Sequence, residues 1–263
     1  MKKYLVIGKP ISHSLSPDLH NFWIENYNLN SKYEKKEVTK DQIKTLIEDI
    51  KIQKIHGMNI TVPYKQEIIS YIDSLTPEAN ATQSVNTIYL NNNQIVGHNT
   101  DIEGFEISIK KKYEVKNKQV LILGSGGVVP SIIFALNRME VSKINICNRT
   151  KEKADNLKKI FPYVNVVDWG TIPHFDIVIN ATSLGLNEKD VISLDLFNSN
   201  HNKLFYDVIY NPSETNFLKD AKKLGHQTEN GMMMFIYQAR AAFKIWHKIE
   251  PLINNKTLKI CSK

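Results

Sequence analysis

The sequence predicts an α/β protein organised as two domains, and three observations carry that prediction. Strand-length apolar runs alternate with helix-periodic segments along the whole chain, the pattern of a largely parallel sheet covered by helices. The run Val120–Leu123 is continuously apolar, as suits a strand buried on both faces. The length of 263 residues has room for two modest domains, and the chain changes character after Asp101.

In order, the first half reads as strand Tyr4–Ile7, a helix from about Pro17 to Tyr27, strand Tyr33–Val38, helix Lys40–Gln53 and strand Gly57–Val62, with a helix starting near Tyr64. Strands Val85–Tyr89 and Gln94–His98 flank Asn91-Asn92-Asn93, a hairpin turn because asparagine tolerates positive φ. After Asp101 a polar helix, Glu103–Tyr113, leads into the strand Gln119–Leu123. Strands are expected at Lys143–Cys147, Val164–Val167, Asp176–Ile179 and Lys203–Val208, with helices between most of them. An amphipathic helix over roughly Met232–Lys248 is expected to pack back on the first domain.

Composition excludes several classes. Hydrophobic residues at 42% and charged residues at 23% describe an ordinary globular chain, neither disordered nor fibrous. No stretch approaches the ~20 apolar residues that span a bilayer, and Lys9-Pro10 ends the first apolar run too early for a signal peptide, so no membrane partner is expected. With only Cys147 and Cys261 the chain does not rest on a disulfide framework, and a reducing cytoplasm is the expected location. The net charge of +7 would suit a polyanion, but the lysines are spread along helix faces such as Lys151–Lys159, and no nucleic acid is expected. A phosphate-bearing small ligand remains attractive.

A site for such a ligand follows the strand Val120–Leu123. Gly124-Ser125-Gly126-Gly127-Val128-Val129-Pro130 opens a helix. Glycines let the backbone approach a pyrophosphate, and the free amides at a helix start bind its charge. Val129 stands where a third glycine of the dinucleotide fingerprint would be, and a plain tight turn is the plainer reading; the strand–turn–helix context favours a cofactor. The next strand ends at Cys147-Asn148-Arg149-Thr150 with no acid to hold a ribose 2′-hydroxyl. Arg149, with Thr150 and Lys153, suits a 2′-phosphate, so NADP is expected rather than NAD. The loops Asn180–Gly185 and Tyr210-Asn211-Pro212 follow strands of the same sheet and should border the nicotinamide end.

The first half carries the reactive groups. Ser16 reads as a helix N-cap with Pro17 in the first turn, and Ser14 beside it as part of a seat for a carboxylate. Lys65, in Asn59-Ile60-Thr61-Val62-Pro63-Tyr64-Lys65, is placed in a helix's first turn, where the dipole disfavours its charge, a useful arrangement for acid–base chemistry. Most lysines simply extend into solvent. Asp101 either caps the helix that follows it or pairs with Lys65.

Taken together, Ser14-Leu15-Ser16-Pro17, Asn59–Lys65, Ser84-Val85-Asn86-Thr87, Gly97–Asp101, Gly124–Gly127, Asn148-Arg149-Thr150, Asn180–Gly185 and Gly231…Gln238 occur in an order that resembles the shikimate dehydrogenases over nearly the whole chain. The resemblance implies an N-terminal α/β substrate domain with a mixed sheet, residues 1–101 completed by C-terminal helices of 238–263. It also implies a Rossmann-like NADP-binding domain over 102–237, with the active site in the cleft between them. The implied reaction is the reversible NADPH-dependent reduction of 3-dehydroshikimate to shikimate, in aromatic amino-acid biosynthesis, by a monomer or homodimer that needs no metal.

Residue by residue, the resemblance makes Lys65 and Asp101 the catalytic pair. Ser14 and Ser16 would bind the substrate carboxylate with Tyr210 nearby, and Thr61, Asn86 and Gln238 would surround the ring hydroxyls. Gly124, Ser125, Gly126, Gly127 and Val128 would hold the pyrophosphate, and Asn148, Arg149, Thr150 and Lys153 the 2′-phosphate region. Thr182, Gly231 and Met234 would lie at the nicotinamide end. Met233 departs from a glycine frequent in the family and Pro130 from a basic residue. Two rivals stand beside this reading: an NAD-using quinate/shikimate dehydrogenase, which Arg149 disfavours, and a non-catalytic dinucleotide-binding regulator, which Lys65 with Asp101 disfavours.

Overall fold

The computed structural model describes residues 1–196 and 202–261. The chain divides into two compact units, Met1–Gly104 with Ile236–Lys263, and Phe105–Phe235. Ser262 and Lys263, the end of the segment 238–263 expected to complete the first domain, lie outside the described residues.

The first unit contains β1 (Lys2–Gly8), α1 (Ser16–Asn26), β2 (Ser31–Glu37), α2 (Gln42–Lys51), β3 (Gly57–Ile60), β4 (Ser74–Leu75), α3 (Pro77–Thr82), β5 (Thr87–Asn91), β6 (Gln94–His98) and the start of α4 (Asp101–Lys110). Its sheet runs β2-β1-β3-β5-β6-β4 and is mixed: β1 is parallel to β2 and β3, whereas β5 is antiparallel to both β3 and β6. Apolar spacing explains how it is covered. In α2 the buried residues are Ile43, Leu46, Ile47 and Ile50, one stripe at helical period, and they share a core with Leu5, Ile7, Met58, Ile60 and Ile88. The β5–β6 hairpin turns through Asn92 and Asn93, both at positive φ, with Asn91 opposite Gln94.

The second unit contains the rest of α4, then β7 (Gln119–Leu123), α5 (Val129–Arg138), β8 (Lys143–Cys147), α6 (Lys151–Ile160), β9 (Asn165–Val167), β10 (Ile177–Asn180), β11 (Leu204–Asp207), α7 (Asn216–Lys223), β12 (Gln227–Glu229) and the start of α8 (Met232–His247). The strand order β12-β11-β10-β7-β8-β9 is parallel throughout, a doubly wound Rossmann-like sheet whose order reverses between β7 and β10. Leu121, Leu123, Val178 and Phe205 pack with Phe217 and Leu218 of α7 in one core. The last helix, α9 (Asn255–Cys261), returns to the first unit and packs on α1.

Trp246 of α8 closes the first sheet. Its indole Nε1 donates to the Ile88 carbonyl at 3.0 Å, and the ring lies where a side chain on Gly57 would be, 2.3 Å from an ideal Cβ. Among the described residues no helix is long and apolar enough to cross a membrane.

Three local expectations need correction. No helix begins at Tyr64: the chain turns through 61–66 and forms only a 3₁₀ helix, Glu67–Tyr71. The Lys65 carbonyl accepts Val85 N at 2.8 Å and so is not available to a helix ladder, while the Tyr64 hydroxyl anchors the turn to the Val38 carbonyl at 2.7 Å. Ser16 is the first residue of α1 rather than its cap, because Leu15 precedes the helix and no side chain caps it; Ser14 Oγ accepts the Ser16 amide at 3.3 Å instead. Helix α4 starts at Asp101, two residues earlier than read.

Candidate active site

In the first unit, the short strand β3 delivers Thr61 and the turn bearing Lys65, while β6 ends at His98 and hands the chain to α4. The Lys65 ammonium reaches Asp101 Oδ2 at 2.5 Å, with the two side chains only 11% and 8% exposed. The dipole argument for Lys65 therefore falls with the missing helix, and the neighbouring carboxylate is what fixes the ammonium. Of the two alternatives for Asp101 the structure shows the pair with Lys65: Asp101 is the first residue of α4 rather than a cap on it, and its own amide is held by Asn99 Oδ1 at 3.1 Å.

The other Asp101 oxygen is occupied as well. Asn86 Nδ2 donates to Oδ1 at 2.8 Å, and Asn86 Oδ1 accepts the amide of Thr100 at 2.8 Å and the hydroxyl of Thr87 at 2.9 Å. Asn59 lies one layer deeper, its Nδ2 donating to the Asn86 carbonyl at 2.9 Å and to Thr87 Oγ1 at 3.0 Å. A carboxylate that accepts from an amide and an ammonium is held in one orientation, and its negative charge keeps the ammonium paired. Thr61 is half-buried at the end of β3, and Gln238 half-buried on α8. Ser14 and Ser16 lie at the start of α1, joined to each other as described.

In the second unit, the sequence-predicted loops gather at the carboxyl ends of β7 and β10, the point where the strand order reverses. Gly124 sits at φ +105, and an added Cβ would lie 2.8 Å from the Ala181 carbonyl, so only glycine lets the β7 and β10 loops meet. The amides of Ser125 and Gly126 donate to no described residue, and Gly126 and Gly127 are exposed ahead of α5. At the end of β8, Arg149, Thr150 and Lys153 are exposed, and neither Arg149 nor Lys153 enters an ion pair among the described residues; Asn148 Nδ2 closes the turn onto the Thr150 carbonyl at 2.7 Å. Open amides at a helix start, with two unengaged cations one strand away, fit a dinucleotide bearing an extra phosphate.

The remaining second-unit residues have structural partners. The Thr182 hydroxyl donates to Asn180 Oδ1 at 2.7 Å and accepts Leu184 N at 3.0 Å. Gly231 is buried, and an added Cβ would lie 2.1 Å from the Val208 carbonyl, so backbone contact alone explains that glycine. Tyr210 stacks on Phe235 at 4.8 Å, and Met234 is buried next to it in sequence. Sequence reasoning missed Asp207, a fully buried carboxylate that accepts from Asn180 Nδ2 at 3.1 Å, the Ile209 amide at 3.0 Å and the Thr215 hydroxyl at 2.7 Å. Burial raises its carboxyl above the usual range. An acid ending an apolar strand beside the Asn180 loop was the available signal.

Two family models match the chain: the one described as shikimate dehydrogenase substrate binding domain over residues 6–88, and the one described as shikimate/quinate 5-dehydrogenase over residues 106–208. A curated relative from Pelagibacter ubique, named shikimate dehydrogenase (NADP(+)), is 55% identical over 260 residues, covering 98% of each chain. The crystal structure of shikimate dehydrogenase from Aquifex aeolicus superposes with a TM-score of 0.91 at 35% identity, covering 100% of this chain and 98% of that one. A Thermus thermophilus shikimate 5-dehydrogenase solved with NADP(H) and shikimate gives a TM-score of 0.89 at 27% identity, covering 100% and 98%.

Proposed function

The chain belongs to the shikimate dehydrogenase family, and from that premise we propose that it catalyses the reversible NADPH-dependent reduction of 3-dehydroshikimate to shikimate. The observation that carries the reading is the nearly buried Lys65–Asp101 pair with Asn86 on its second oxygen. Lys65, as the ammonium, points its proton at the substrate oxygen and gives it up as negative charge develops there; solvent then returns a proton to the amine. Asp101 orients that ammonium, and Asn86 orients Asp101. In the reverse direction Lys65, as the amine, takes the hydroxyl proton.

Ser14 and Ser16 receive the substrate carboxylate, Thr61 and Gln238 contact the ring hydroxyls, and Tyr210 is a further substrate-binding residue. NADPH, when bound, supplies the hydride. Gly124, Ser125, Gly126, Gly127 and Val128 hold its pyrophosphate, and Asn148, Arg149, Thr150 and Lys153 its 2′-phosphate, while Thr182, Gly231 and Met234 border the nicotinamide. We assign the catalytic pair and the substrate contacts other than Tyr210 to the first unit, and nucleotide binding to the second. The two cysteines are buried and not joined in a disulfide, which supports a reducing cytoplasm as the place of action; the enzyme acts there as a monomer or homodimer.

The test is oxidation of shikimate followed at 340 nm with NADP and NAD in parallel. A rise in absorbance with NADP, and a much weaker one with NAD, is expected. No rise with either would overturn the assignment.

A further inference from the structure

Tyr33 lies in β2, an edge strand otherwise rich in charge, yet it is only 1% exposed and is used by none of the steps above. Its backbone is pinned from outside the sheet: Asn21 Nδ2 donates to the Tyr33 carbonyl at 2.8 Å, and Asn21 Oδ1 accepts its amide at 2.9 Å. The ring stacks flat on His20, with centroids 4.2 Å apart and planes 6° from parallel. Neither nitrogen of that imidazole has a hydrogen-bond partner among the described residues, so His20 serves the phenol by packing. A side chain held this firmly presents its hydroxyl at one fixed point.

Two polar groups converge there. The phenol donates to Asn59 Oδ1 at 2.7 Å, and Ser16, buried one turn before His20 on the same face of α1, places its side chain beside the phenol. From Asn59 the chain of hydrogen bonds continues from Nδ2 to Thr87 Oγ1, from that hydroxyl to Asn86 Oδ1, and from Asn86 Nδ2 to Asp101 and so Lys65. Buried hydrogen bonds in series polarise and orient one another, and each member left without its partner carries a desolvation cost.

We infer that Tyr33 is a positioning residue that ties the Ser16 hydroxyl to the Lys65–Asp101 pair. It holds the seat for the substrate carboxylate and the proton-transferring group at one spacing, matched to a rigid ring. The inference rests on the functional reading given above, because Ser16 has a seat to offer only if a carboxylate-bearing ring binds there.

Tyr33→Phe tests it, since the ring and its stack on His20 stay and one oxygen is removed. The expected result is a KM for shikimate roughly tenfold higher, a smaller loss of kcat and an unchanged KM for NADP. Asn59→Asp cuts the other end: it keeps an acceptor for the phenol but sets a carboxylate oxygen against the Asn86 carbonyl, so kcat should fall more than the KM for shikimate rises. This second variant carries the test if the first does not fold. A folded Tyr33→Phe enzyme with wild-type shikimate parameters, or one whose KM for NADP moves as much as that for shikimate, overturns the inference. The parent enzyme is assayed alongside: an inactive parent overturns the functional reading, whereas an active parent beside an unaffected variant overturns only the role of Tyr33.

Discussion

Lys65 Nζ lies 2.5 Å from Asp101 Oδ2, although 36 positions of sequence separate the two residues. Removing either partner of so enclosed a pair leaves the other charge uncompensated. Lys65→Ala should lower turnover by roughly 10²–10⁴-fold, the scale of general acid–base catalysis. Asp101→Asn, which keeps the shape but not the charge, should damage the same step. Steady-state kcat for shikimate oxidation checks both, and near-normal turnover in Lys65→Ala would remove the lysine from the mechanism.

Arg149 stands exposed at the end of β8, and among the described residues no acid engages it. Arg149→Asp puts a carboxylate at the proposed seat of the extra phosphate of NADP, so the KM for NADPH should rise far more than the KM for NADH. Parallel titrations of the two cofactors decide the point; equal effects on both would count against a 2′-phosphate contact.

Burial of His20, with a further contribution from the neighbouring His247, lowers its imidazole pKa to about 3. The folded state therefore binds this proton more weakly than the unfolded chain, whose histidine titrates near its ordinary value of 6.5. Stability should be fully present above that value and fall as the pH drops from there towards 3, by up to about 1.4 kcal/mol per pH unit. His20→Phe should flatten that slope. Urea midpoints at several pH values between 4 and 7 measure it, and an unchanged slope in the variant would refute the assignment.

Gly57 lies against the Trp246 indole, which is itself fixed by its bond to the Ile88 carbonyl. Gly57→Ala forces a methyl into that ring. Overpacking of this kind costs typically about 1–3 kcal/mol, so a lowered melting temperature is expected. A variant as stable as the parent would show that the indole can move aside.

Much of this molecule was legible in its sequence because the signals were local. The apolar run of β7, the asparagine turn between β5 and β6, and the glycines ahead of α5 each state their conformation within a few residues. The pair formed by Lys65 and Asp101 was legible only as one of two alternatives, since nothing near Asp101 says which neighbour its second oxygen will find. The turn at 64–66 was misread as the start of a helix because the Val85 amide that claims the Lys65 carbonyl arrives from twenty positions away. Tyr33 and Asp207 escaped notice for a similar reason: a tyrosine among lysines and glutamates, or an acid ending a strand, shows its partners only after the sheet has formed.

The first unit draws on both ends of the polypeptide, whereas the second is one unbroken stretch. During synthesis the ribosome releases the whole Rossmann-like portion before it releases Trp246, the residue that closes the first sheet. The Rossmann-like half can therefore mature on the nascent chain, while the half bearing Lys65 and Asp101 waits for the helices that follow it and completes its core last.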